Sequence, residues 1–271
     1  MRNEKNQFLL LVFCLAFFLT SCKSNQVGSD ISLSVYDFPE YFEEVVEEVG
    51  STEAIVESLC KTDDEVCSVW TLQGQNKGVS VYIVAGLHGD EPAGFMAAEL
   101  MKQWEVAEGA IHIVSPANVY GADKDRRTTR SDRDINRQFP GRADGNDAEQ
   151  IAAAIFADIE SKQPDLVLDL HEAHTWKDGA DELDDSVIVQ STDQIGDLIW
   201  SILTESEEGK TSFPALSFYG APPKGSLNLE VTTRTGIPVI TFETDLKKEL
   251  TERVQNQLAF VSYILEYYGI R

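Results

Sequence analysis

Positive charge is scarce in this 271-residue chain: 22 Lys and Arg stand against 46 Asp and Glu, for a formal net charge of −24. A surface of that sign repels phosphate backbones, so nucleic acid is not an expected partner. Glycine (18) and proline (9) are too few for a collagen or a low-complexity disordered chain. No apolar run approaches the 20 or so residues of repeated membrane spans, which excludes a polytopic membrane protein. Cysteine occurs only four times. What remains is an acidic chain long enough for one or two domains, whose charge suits a cation site better than an anion-rich partner.

The first residues read as an address. A short charged start, Met1 to Lys5, precedes an unbroken apolar run of twelve residues from Phe8 to Leu19. That run is too short for a relaxed transmembrane helix but fits the core of a signal peptide. Leu19-Thr20-Ser21-Cys22 follows at once and resembles the bacterial lipobox. The resemblance implies a signal peptide over residues 1–21, lipidation of Cys22 and anchoring in the cell envelope. Lys23 in place of Asp points to the periplasmic side of the outer membrane. Residues 22–36 are then a small, polar tether. In an exported protein the remaining Cys60 and Cys67, with six residues between them, are expected to form a disulfide.

Residues 37–271 read as one α/β domain. Apolar Tyr41, Phe42, Val45, Val46 and Val49 recur at helical spacing, and a second short helix is expected from Glu53 to Cys60. From Val66 onward, strands alternate with helices. Strands are expected at 66–72, 79–85, 110–115, 165–170, 186–190, 214–218 and 237–243, and helices at 91–103, 147–162, 194–206 and 249–268. This order implies a central mostly parallel or mixed sheet flanked by helices. The stretch 116–146 shows no convincing element, yet holds six arginines in an acidic protein: Arg126, Arg127, Arg130, Arg133, Arg137 and Arg142. Loops of this length in compact domains are usually functional or disordered, and the local sign reversal suits an anion.

Chemistry gathers at two strand ends. Val84-Ala85-Gly86-Leu87-His88-Gly89-Asp90-Glu91 places a His and a Glu three apart after one strand; Leu168-Asp169-Leu170-His171 places a second His on another. Ligands of open α/β sheets collect at such ends. Two imidazoles and one carboxylate with a fourth position open are a catalytic zinc set. Asp169 shares a strand face with His171, either to support that ring or as a polar residue at a strand end. Glu172 and His174 are expected at the rim, and His112 within the sheet.

Two further segments complete a pattern: Asp134-Ile135-Asn136-Arg137-Gln138-Phe139-Pro140-Gly141 between the His elements, and Ile240-Thr241-Phe242-Glu243-Thr244 late in the chain. HxxE, an Asn-Arg pair, a His and a Glu in that order resemble the zinc carboxypeptidase superfamily, including its succinylglutamate desuccinylase/aspartoacylase branch and its murein-peptide amidases. The resemblance covers roughly residues 66–268 and implies the zinc carboxypeptidase-like fold. It implies one Zn²⁺ on His88, Glu91 and His171. Arg137 becomes the fork for a substrate carboxylate, with Asn136 beside it. Glu243 becomes the base that takes a proton from water and passes it to the leaving amine. An upstream arginine stabilises the oxyanion; Thr129-Arg130 fits that place better than Arg127, with one residue missing from the pattern. Tyr219, 24 residues before Glu243, matches a loop tyrosine of peptidase relatives. The implied substrate is a peptide or an N-acyl amino acid with a free carboxylate. His88-Gly89-Asp90-Glu91, Gly225-Ser226-Leu227 and export favour a carboxypeptidase or murein-peptide amidase. Asn136 to Gly141 fits the N-acyl amino acid deacylases. An inactive binding lipoprotein is the third reading, and retention of the full ligand set with Glu243 stands against it.

Overall fold

The structure, a computed structural model, describes residues 54–62, 65–173 and 183–271. The signal segment, Cys22, the tether, the helical pattern of residues 39–49 and His174 lie outside the described residues. Eight strands form one sheet in the order β1-β2-β4-β3-β5-β8-β6-β7. They are β1 (Ile55–Thr62), β2 (Glu65–Gln73), β3 (Asn76–Ala85), β4 (Glu108–Val114), β5 (Leu166–Ala173), β6 (Ser186–Val189), β7 (Ser217–Tyr219) and β8 (Val239–Asp245). The centre, β4-β3-β5-β8, is parallel; β2 and β6 join it antiparallel, β1 pairs antiparallel with β2, and β7 runs parallel to β6. The sheet is therefore mixed, as the alternating pattern implied.

Strand parity divides the core. On β3, Val81, Ile83 and Ala85 face α1 (Pro92–Met101), α4 (Gly196–Glu207) and α6 (Leu250–Tyr267). Tyr82 and Val84 face α3 (Asp147–Lys162) and α5 (Leu227–Thr235) on the other side. Central strands covered on both faces become continuous apolar runs, which made them legible in the sequence. Asn146 and Glu149 close a reciprocal capping box at the start of α3.

Three expectations are corrected. Residues 55–62 form an edge strand and not a helix, because they pair along β2 from Ile55↔Thr71 to Thr62↔Glu65. The stretch 116–146 holds a short helix, α2 (Val119–Lys124), and a 3-10 turn at Ile135–Arg137. Cys60 and Cys67 are register partners across β1 and β2, but both are free thiols and no disulfide joins them. Burial pushes the Cys67 thiol up to about 12. Among the described residues, no helix is long and apolar enough to cross a membrane.

Candidate metal centre and active site

β4 lies on one side of β3 and β5 on the other. The chain thus reverses its direction of growth at β3, and such a switch point opens a crevice at the strand C-termini. His88 and Glu91 follow β3, and His171 and Glu243 sit opposite each other in register near the ends of β5 and β8. Parity puts His171 and Glu243 on the α3/α5 face, while Leu170 and Phe242 belong to the opposite core.

The loop after β3 is held tightly. A Cβ on Gly89 would fall 1.9 Å from the Gly121 carbonyl carbon, so only glycine lets the loop lie on α2. Gly89 N donates to Arg126 O at 3.0 Å. Glu91 stands at the N-cap of α1 with Pro92 behind it, where proline costs the helix no hydrogen bond.

Glu91 is the hub. Its Oε1 lies 2.8 Å from His88 Nδ1, and its Oε2 lies 2.7 Å from His171 Nδ1. All three side chains are buried, and one atom from each lies within 4.8 Å of the others. The outer ring nitrogens meet carboxylates: His88 Nε2 is 3.0 Å from Asp134 Oδ1, and His171 Nε2 is 3.0 Å from Asp169 Oδ1. Asp134 behind the His88 ring favours a proton on its Nε2 and turns the Nδ1 lone pair toward Glu91, the arrangement of a metal-ligating histidine. The donor set fits a divalent cation of the zinc type. Burial opposes charge on His171, but Asp169 and Glu91 outweigh it and raise its pKa well above the ordinary range; the pocket asks for a cation. Burial likewise works against ionised Asp134, but His88, Arg127 and Arg137 hold it below the usual carboxylate range.

Glu243 lines the same cleft, half-buried. Burial pushes its pKa up to about 7, with Glu91 and Asp169 adding to the rise and His171 and His88 opposing it. Arg127 and Arg137 also line the cleft. Arg127 Nη1 is 3.0 Å from Glu91 Oε1, and its Nη2 is 3.2 Å from Asp134 Oδ2. The cleft encloses a cavity of about 100 Å³ and opens to solvent.

Several residues stand elsewhere than expected. Arg130 is exposed, 2.9 Å from Glu65 and 4.6 Å above the Tyr120 ring, and does not line the cleft. The local chain explains the exchange. Asp125 in the left-handed region ends α2, and Asn118 Nδ2 then holds the Arg127 carbonyl at 3.2 Å. Arg130 falls in the tight turn beyond, which Asp147 pins through Thr129 and Ser131. Asn136 is occupied: its Oδ1 accepts from Leu227 N at 2.8 Å, and its Nδ2 lies 3.1 Å from His171 Nε2. It lines the cleft with Arg137 and ties α5 to the loop between the two His elements. Tyr219 sits half-buried on β7, outside the cleft lining. Glu172 is no rim residue: it is buried, accepts from Ala93 N at 2.8 Å and pairs with Arg253 of α6. Burial moves it up to about 7 against the pull of Arg253. Asp134 and Asn228 are site residues that the sequence did not single out. Asp134, two residues before Asn136 in the quoted motif, carried the only available signal.

Comparison with known proteins agrees with this geometry. Residues 77–178 match the family model of the succinylglutamate desuccinylase/aspartoacylase catalytic domain. Over 105 residues the chain is 33% identical to the N-alpha-acetyl-L-2,4-diaminobutyric acid deacetylase of Halomonas elongata; the match covers 37% of this chain and 30% of that protein. An aspartoacylase family protein from Mesorhizobium loti superposes with a TM-score of 0.59 at 25% identity, over 83% of this chain and 69% of that one. The cell shape determinant Csd4 of Helicobacter pylori shares the fold, with a TM-score of 0.63 at 18% identity, over 76% of this chain and 56% of that one.

Proposed function

We propose that this chain, a member of the zinc carboxypeptidase-like superfamily with a desuccinylase/aspartoacylase-type catalytic segment, is a zinc-dependent hydrolase of an amide bond beside a carboxylate-bearing group. One observation carries the reading. The buried His88–Glu91–His171 set, Glu243 and Arg137 all open onto one cleft at the switch point of the sheet. His88, Glu91 and His171 would hold the zinc, which would supply a Lewis acid for activating water and polarising a carbonyl. Arg137 receives the substrate carboxylate through its planar fork and orients the bond. Glu243 takes a proton from the attacking water and delivers it to the leaving nitrogen. Arg127, already beside Glu91, meets the negative charge that grows on the carbonyl oxygen.

The matched segment and the Halomonas relative favour an N-acyl amino acid as substrate over the peptide suggested by the His88-Gly89-Asp90-Glu91 loop. The lipid-anchored envelope location rests on the Leu19-Thr20-Ser21-Cys22 motif alone. The test is mass spectrometry of products from N-acyl amino acids, ordinary peptides and muropeptides, together with metal analysis of variants. His171→Ala loses zinc. Glu243→Gln keeps zinc and loses turnover by about 10²–10⁴-fold. Full zinc occupancy in His171→Ala, or an active Glu243→Gln enzyme, would overturn the assignment.

A further inference from the structure

Asn228, the second residue of α5, lines the cleft and is only 1% exposed. Its Nδ2 is fully committed: one hydrogen goes to Ile188 O at 2.9 Å and the other to Thr241 Oγ1 at 3.0 Å. Among the described residues, its Oδ1 has no partner. Rotating the amide does not cure this, because it would set Oδ1 against the Ile188 carbonyl, acceptor against acceptor. The residue is also held in place from both sides. Ser226 caps α5 by accepting from Leu229 N at 3.2 Å, and Asn136 accepts from Leu227 N. Behind Asn228, Thr241 continues to Asp169 Oδ2 at 3.3 Å, and Asp169 backs His171. The cleft floor is thus one rigid polar chain running from a metal ligand to an acceptor that lacks a donor. The apolar members of the cleft lining are Ala173, Leu183, Ile188, Pro222 and Pro223.

Buried side-chain acceptors are rarely left unpaired, and each one that is asks for a missing partner. An apolar side chain would fill the walls and leave Oδ1 unsatisfied. A short side chain ending in an N–H group would satisfy both. Resting on the proposed binding of the substrate carboxylate by Arg137, we infer that Asn228 is a specificity-determining residue. It selects amino-acid moieties whose side chain ends in a nitrogen donor, a carboxamide or an amine, over apolar isosteres. A site built to pair a donor discriminates against analogues lacking it more strongly than a greasy pocket discriminates by size.

The test separates this inference from the hydrolase reading by measuring binding apart from turnover. Free glutamine and methionine, and free ornithine and norvaline, are titrated by calorimetry into the zinc-loaded full chain. The nitrogen-bearing member of at least one pair should bind tenfold tighter or better. Asn228→Leu should erase the preference. The wild-type comparison stands by itself if a variant does not fold. Equal affinities within both pairs, a preference that survives Asn228→Leu, or no binding by any of the four overturns the inference. N-acetyl derivatives of the same amino acids are then assayed for release of acetate. Preserved binding preference with no hydrolysis would overturn the hydrolase reading and leave the role of Asn228 standing.

Discussion

Arg127 and Arg130 lie three residues apart, yet their surroundings assign them different work. Arg127 contacts Glu91 and Asp134 in the cleft, whereas Arg130 stacks over Tyr120 in the open. Removing a preorganised donor from a developing oxyanion costs about 10²–10³ in kcat. Arg127→Met should show a loss of that size and Arg130→Met should not, because exposed ion pairs contribute little. Steady-state kinetics on the substrate found by product analysis decides it, and the reverse order would restore Arg130 to the site. Arg137→Lys keeps the charge but loses the fork, so KM should rise more than kcat falls. An unchanged KM would move carboxylate recognition to another arginine.

Elements decide which side chains can meet. Glu172 follows His171 directly, but alternation along β5 sends it to the other face, where Arg253 and the N-terminus of α1 take it up. That pairing steadies the helix that Glu91 caps, so Glu172 braces the His88–Glu91–His171 set from behind. His112 on β4 shows another consequence of the sheet. Burial and the Lys162 charge depress its pKa to about 4, against a weaker opposing pull from Asp158 and Glu57. The unfolded chain binds this proton below about pH 6.5 and the folded chain does not, so stability falls as pH drops from 6.5 toward 4. The contribution reaches at most about 3 kcal/mol at the acid end. Urea unfolding at pH 7 and pH 5 should show a steeper loss for the native chain than for His112→Gln. Equal losses would mean that His112 is already protonated in the fold.

At the scale of the molecule, the acidic surface and the arginine-bearing loop act together. A net charge of −24 would repel an anionic substrate, and the loop brings Arg127 and Arg137 to the cleft where the proposed substrate would bind. The proposed anchor is a separate matter, resting on the sequence before the sheet. A single acyl chain binds membranes weakly and two or more bind firmly, so lipidated Cys22 should hold the protein in the envelope. Metabolic labelling with a fatty acid should mark the native chain and not Cys22→Ser; equal labelling would refute the anchor.

Buried strands and the order of chemical groups were legible in the sequence because both are local. Val79 to Ala85 and Leu166 to Leu170 are apolar because both faces are covered, and His88, Glu91, His171 and Glu243 sit where such runs end. β1 was misread because its residues are stable as a strand only when paired with β2. Helix α5 was missed because Val231, Thr232, Thr233 and Thr235 are poor helix formers. Ser226, Asn136 and the left-handed Gly236 hold it from outside its own sequence. Which arginine enters the cleft, what occupies Asn136 and which amide oxygen is left without a donor depend on contacts between residues far apart in the chain. Asn136 reaches Leu227 and His171, Asn228 reaches Ile188 and Thr241, and only the closed sheet brings these together. Local pattern determined the strands and the ligand types; the tertiary structure decided their partners, because a hydrogen bond is specified by distance in space and not by separation along the chain.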